Sequence, residues 1–91
     1  MATRIISLKN DQIDGYARVI FFLEGCCHPS IHFEMGELGT RSVTISSDCI
    51  ITNIIASVRV NDTEMPVPSY APPPSQSFFT LSRHGRGFKI R

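Results

Sequence analysis

Long apolar runs are missing from this sequence. The densest one, residues 16–24, has about half of the 18 or so residues that a membrane-spanning helix needs, so we expect no membrane partner. A large net charge is missing as well. The formal charge is +1 over 91 residues, and overall charge therefore predicts binding to neither nucleic acids nor membranes.

Motifs that identify an enzyme or a metalloprotein are also missing. The sequence contains neither of the glycine-rich phosphate loops GxxxxGK[ST] and GxGxxG, and no pair of separated CxxC motifs of the kind that binds structural zinc. Cys26, Cys27, His28 and His32 form one cluster, but no family signature surrounds the thiols and Pro29 disfavours a helical pair of histidines. We therefore expect a non-enzymatic protein without a metal or other cofactor.

Cysteine is scarce, and its number is odd. Of the three cysteines, Cys26 and Cys27 are adjacent and cannot easily bridge each other. The N-terminal residues also lack the long apolar segment of a secretory signal. These features predict reduced thiols in an intracellular, cytoplasmic protein. The alternative is a secreted protein in which Cys49 pairs with Cys26 or Cys27.

The residues that are abundant favour β-structure. Ile, Val, Thr, Phe and Tyr make up 30 of 91 residues, whereas Ala and Leu occur four times each. β-Branched and aromatic side chains fit a pleated, half-buried surface and lose rotamer freedom in helices. The composition predicts an all-β fold, a small antiparallel β-sandwich or barrel of about six strands that takes up residues 1–91 as a single domain.

Turn residues and alternating apolar residues place the strands. Residues 30–35 show the pattern most clearly, since Ile31, Phe33 and Met35 alternate with polar residues. On the same grounds strands are predicted over 3–9, 16–24, 30–35, 41–46, 77–81 and 88–91.

The segment 49–60 fits a strand or a helix. A helix near residues 48–59 would give an α+β fold, with Ser47 or Asp48 as its N-cap. Twelve extended residues span about 40 Å, which exceeds the size of an average domain of this length, so a strand here must bend near Thr52 and Asn53 or pair with another subunit. The β-branched content favours the strand.

Proline is concentrated in residues 65–77, at positions 66, 68, 72, 73 and 74. Because proline lacks a backbone donor, we predict an extended connector or an edge crossing there, with polyproline II geometry at 72–74.

Charge is concentrated at the C-terminal end. Residues 78–91 carry a charge of +4 and no acid, whereas residues 1–77 sum to −3. The sequence predicts a basic hairpin over 78–91, with Phe78, Phe79 and Phe88 beside the charge and an exposed one able to stack on a base. Guanidinium and ammonium groups on a glycine-containing loop suit an anion. The candidate ligand-binding residues are Arg83, His84, Arg86, Lys89 and Arg91.

Two segments have apolar residues on both faces of the predicted strands. A small domain buries few strands on two faces, so we expect part of this surface to meet another subunit. The predicted oligomer interface consists of Phe21, Phe22, Ile51, Ile54 and Ile55.

Together these features predict a small non-enzymatic binding protein. We expect it to be a homo-oligomer that recognises an anionic ligand, either nucleic acid or a nucleotide, through its C-terminal hairpin. The alternative is a self-assembling structural, lectin-like or protein-interaction module that acts on a protein partner through its apolar faces.

Overall fold

The computed structural model describes residues 2–91, and this part of the chain consists of β-strands joined by turns and loops. The strands are β1 (Thr3–Asp11), β2 (Tyr16–Glu24), β3 (Ser30–Met35), β4 (Thr40–Ser46), β5 (Ile50–Val60), β6 (Thr63–Tyr70), β7 (Phe78–His84) and β8 (Gly87–Ile90). The all-β prediction is confirmed. No helix in residues 2–91 is long and apolar enough to cross a membrane.

The strands form two four-stranded sheets packed as a sandwich. Sheet A has the order β4-β1-β7-β8, and sheet B has the order β3-β2-β5-β6. Eight strands are present in residues 2–91 rather than about six. All pairs are antiparallel except β1 and β7, which run parallel. The parallel pair arises because the long connection after β6 returns the chain to sheet A in the direction of β1.

β5 is a strand and not a helix. An unbroken strand fits because the molecule is elongated, with Cα extents of 43 × 20 × 19 Å. The strand also has an irregularity where the sequence predicts a bend, since Phe22 pairs with Asn53 whereas Leu23 pairs with Ile51. Thr52 is therefore the extra residue of a β-bulge.

The connector between the two sheets is shorter than the segment 65–77 that the sequence predicts. Residues 65–70 belong to β6 and pair with β5, which leaves only 71–77 to connect the two sheets. β6 is an edge strand, so the backbone on its free side needs no N–H donors for strand pairing. The strand can therefore contain Pro66 and Pro68.

The core lies between the sheets and is centred on aromatic rings. Phe21 of β2 meets Phe33 of its own sheet edge-on, with ring centroids 5.3 Å apart. It also meets Phe79 of the opposite sheet, at 5.1 Å. Such edge-to-face pairs contribute about 1 kcal/mol each beyond their buried area. Aliphatic side chains fill the remaining space, among them Ile6, Leu8, Val19, Ile54, Val58, Leu81 and Ile90.

The expectation of reduced cysteines is wrong for two of the three. Cys26 and Cys49 form a disulfide, and Cys27 is free and exposed. The turn after β2 and the crossing from β4 to β5 bring Cys26 and Cys49 together, with Cα atoms 5.0 Å apart. Sequence spacing does not encode this approach, because it depends on how the two sheets stack.

Candidate anion-binding face

Strand alternation divides the C-terminal hairpin into an inner and an outer face. In β7, Phe79 and Leu81 are buried in the core, so the residues between and beside them point outward from sheet A. In β8, Phe88 and Ile90 are buried in the same way. The outward residues of the hairpin are Phe78, Thr80, Ser82, His84, Lys89 and Arg91.

The register of sheet A brings cations and hydroxyl groups into rows across its outer face. Thr80 pairs with Lys9 of β1 on one side and exchanges backbone hydrogen bonds with Arg91 on the other, at 2.8 and 3.0 Å. In the next row, Ser82 pairs with Asp11 and Lys89. Neighbouring strands are about 4.8 Å apart, so each row places its side chains within reach of one small ligand.

Phe78 lies beside these rows and is 56% exposed, although it is a large apolar side chain. Phe78 pairs with Ser7 of the neighbouring strand β1. The hydroxyl oxygen of Ser7 lies 2.7 Å from the hydroxyl oxygen of Ser42 in β4. Of the three phenylalanines expected near the charge, Phe79 and Phe88 are core residues, exposed by 0% and 2%. Of these three rings, Phe78 is the one exposed to solvent.

Arg83 differs from the other candidate residues, because it lies on the inner side of the hairpin at the end of the sandwich. Its guanidinium group donates to the Asp14 carboxylate at 2.8 Å and lies over the Phe88 ring at 5.4 Å. Its Nε also donates to the Gly85 carbonyl at 3.2 Å. These contacts hold Arg83 away from the outer face. Arg86 lies at the exposed tip of the turn.

Charges on the outer face of sheet A are mostly positive. Lys9, Lys89 and Arg91 contribute cations, and His84 adds an imidazole. Asp11 is the one acid on this face within residues 2–91, and its carboxylate lies 3.8 Å from Lys9 Nζ. The face therefore combines a net positive charge with hydroxyl donors and one exposed aromatic ring.

Sequence reasoning missed the contributions of β1 and β4 to this face. Lys9 belongs to it through the parallel pairing of β1 with β7, which no local pattern reveals. The hydroxyls of β4 do leave a signal in the sequence, since polar residues alternate with Val43 and Ile45. These outward residues are Thr40, Ser42, Thr44 and Ser46.

The predicted interface residues do not share one surface. Phe21, Ile51 and Ile54 are buried inside the sandwich, exposed by 0, 4 and 0%, so the core of a single chain takes them up. Phe22 and Ile55 point outward from sheet B and are each 38% exposed. A strand pattern that is apolar on both faces does not tell which face meets the other sheet.

The cysteine–histidine cluster does not form a metal site in the part of the chain that the structure describes. No group of three His, Cys, Asp or Glu side chains comes together in residues 2–91. The disulfide also removes Cys26 and Cys49 as thiolates. On the outer side of β3, His32 Nε2 instead lies 3.3 Å from the hydroxyl oxygen of Ser30.

Comparisons with family models, with curated proteins and with solved structures give no match for this chain.

Proposed function

We propose that this protein is a non-enzymatic binding protein that recognises an anionic ligand, nucleic acid or a nucleotide, on the outer face of sheet A. The observation that carries the proposal is the exposed ring of Phe78 on the same sheet face as Lys9, Lys89 and Arg91. An exposed aromatic ring beside positive charges suits a ligand with both a π-face and phosphates.

Each part of the face has a role in this proposal. Phe78 stacks on one base, an interaction worth about 1–3 kcal/mol in proteins that bind single strands. Lys89 and Arg91 contact phosphates, and Arg91 has the planar group that bonds phosphate in a bidentate manner. The hydroxyls of Thr80 and Ser82 donate to phosphate or sugar oxygens between them.

Arg86 and His84 extend the same face toward the hairpin tip. Both are exposed, and Gly85 between them has a positive φ of 60°, which allows a tight two-residue turn. Arg83 has a supporting role in this proposal, because its pairing with Asp14 fixes the direction in which the tip projects.

The proposal is tested by fluorescence anisotropy with a labelled oligothymidine of about 12 nucleotides, at low and high salt. Phe78→Ala should weaken binding about tenfold, and a Lys89→Glu/Arg91→Glu variant should weaken it further and flatten the dependence of affinity on salt. ATP as competitor distinguishes a nucleotide site from a site for longer strands.

Matched controls lie on the opposite sheet. Phe22→Ala removes an exposed phenylalanine from sheet B, and Arg59→Glu reverses an exposed charge there. Both should leave affinity unchanged. Equal losses on the two faces, or binding that does not respond to salt, would reject sheet A as the site.

Self-association through the outer face of sheet B is the second candidate function. Ile20 pairs with Ile55 at the centre of this face, and Phe22 and Ile50 add exposed apolar surface, 38% and 50% exposed. A homo-oligomer would cover this patch, and the ligand-binding face of sheet A would remain free. The same surface would serve a protein-interaction role with a different partner.

Native mass spectrometry tests this second function. If sheet B mediates assembly, a Phe22→Asp/Ile55→Asp variant should be monomeric at concentrations where the unmodified chain is a multimer. Phe78→Asp, the same change on sheet A, should leave the multimer intact. A chain that is monomeric without substitutions would exclude this function.

The intracellular location that the sequence suggests stays a prediction. The Cys26–Cys49 disulfide favours an oxidising compartment instead, because cytosolic reductants keep most thiols reduced.

A further inference from the structure

The sandwich is closed along one side and open along the other. β6 and β8 pack against each other, whereas β3 and β4, the edge strands on the opposite side, scarcely touch. A cleft of about 620 Å³ lies between them, within the usual size range of small-molecule sites. It lies at the disulfide end of the molecule, beside β4, which is at the opposite edge of sheet A from β8.

The cleft has apolar walls and a polar mouth. Leu23 and Ile45 lie deepest and are nearly buried, and Ile31 and Val43 are half-buried on facing edges of the two sheets. The polar side chains that line the cleft are His28, Ser30, Thr44, Ser46 and Asp48. An apolar group that enters would remove Ile31 and Val43 from water.

Covalent connections join the two edge strands that border the cleft, β3 and β4, at both of its ends. Residues 36–39 join the end of β3 to the start of β4, and the Cys26–Cys49 disulfide ties the loops at the opposite ends of these strands. Because the two edges are tied, the cleft exists before a ligand arrives. Such preorganisation lowers the ordering cost of binding.

The charge at the mouth selects the ligand's polar group. Asp48 carries the one carboxylate that lines the cleft, and it forms no ion pair with residues 2–91. Among residues 2–91, no Lys or Arg lines the cleft. A carboxylate or phosphate head group would meet repulsion from Asp48, whereas an ammonium group would be attracted.

We propose that this cleft is a second binding site, which takes a small amphiphile with one apolar chain and a cationic head group. The chain lies against Leu23, Ile31, Val43 and Ile45, and the ammonium group lies beside Asp48. This site contains none of the cations of the anion-binding face and does not depend on them.

Displacement of the neutral fluorophore N-phenyl-1-naphthylamine tests the proposal. The fluorophore should bind with saturation, and decylamine should displace it at roughly tenfold lower concentration than decanoate, because the Asp48 carboxylate attracts the ammonium group of decylamine and repels the carboxylate of decanoate. Asp48→Asn should remove the difference between the two compounds. Val43→Trp should fill the cleft and abolish fluorophore binding. The control variant Ile13→Trp, at a 72% exposed residue between β1 and β2 that does not line the cleft, should not.

Cys27 gives a second measurement that needs no variant. Its free thiol lines the cleft, so decylamine should slow the reaction of the unmodified protein with Ellman's reagent at the same concentrations that displace the fluorophore. Equal displacement by both compounds, or fluorophore binding that is lost with Ile13→Trp and kept with Val43→Trp, would overturn the proposal. A thiol reaction rate that decylamine does not change would overturn it as well.

Discussion

At the scale of residues, a buried polar network stabilises the crossing from β1 to β2. The Gln12 side chain accepts hydrogen bonds from the backbone N–H groups of Asp14 and Gly15, and its amide donates to the Gly15 carbonyl and to Asn10 Oδ1. Asn10 in turn donates to the Gly36 carbonyl at 2.9 Å. Gln12 and Asn10 are exposed by 5% and 0%, so water cannot replace these bonds.

Replacing Gln12 by leucine should lower the free energy of unfolding by about 4 kcal/mol or more. Leucine keeps most of the volume, but it leaves two backbone donors and two acceptors without partners, and each buried unpaired group costs about 1–3 kcal/mol. Urea denaturation measures the change. Gln76→Leu serves as control, because Gln76 hydrogen-bonds Tyr70 nearer the surface, and its loss should cost less than half as much.

At the scale of elements, the β5–β6 hairpin turns through two residues, other than glycine, that have positive φ angles. Asn61 and Asp62 have φ angles of 48° and 63°, and Val60 pairs with Thr63 across the turn. Positive φ at both central residues defines a type I′ turn, which matches the twist of the strands. Asparagine tolerates this conformation well, and glycine suits the second position better than aspartate does.

Asp62→Gly should therefore raise the free energy of unfolding by about 1 kcal/mol. The change also removes a surface ion pair, in which Arg59 Nη2 lies 4.0 Å from Asp62 Oδ1. An ion pair that is so exposed adds little stability. Thermal unfolding followed by circular dichroism measures the gain. Asp62→Ala, which removes the same charge without relieving the backbone, should give no gain, and equal stabilisation by both variants would contradict the explanation from φ.

Local patterns predict the elements well and their partners poorly. The alternation in residues 30–35 and the apolar run at 16–24 each match a strand of the structure, because side-chain period and strand burial are local properties. The pairing of Arg83 with Asp14 joins residues far apart in the chain, and nothing near either residue indicates it. The candidate face was therefore predicted in part: its hairpin is readable from the sequence, whereas the contribution of Lys9 follows from sheet order.

At the scale of the whole molecule, the disulfide links loops that belong to different strand connections. Cys26 and Cys49 are 23 residues apart in sequence, and cross-linking a loop of this length lowers the entropy of the unfolded chain. The expected stabilisation is about 3 kcal/mol. In a domain of 91 residues, this is a large share of the total stability.

A Cys26→Ser/Cys49→Ser variant should therefore unfold at a melting temperature roughly 15 °C lower. Calorimetry in the absence of reductant measures the difference, and adding dithiothreitol to the unmodified chain should produce a similar decrease. Cys27→Ser is the control and should have the same melting temperature as the unmodified protein. A double variant that melts at the original temperature would show that the loops hold together without the bond.

The parallel pairing of β1 with β7 has a consequence for the order of events during translation. Sheet B uses strands between residues 16 and 70 and can be complete before β7 leaves the ribosome. Sheet A needs β7, which follows β1 by more than 60 residues, so Leu8 lacks one of its two neighbouring strands until β7 has been synthesised. The nascent chain therefore passes through a half-built sandwich, whose apolar inner face is open to chaperones until β7 pairs with β1.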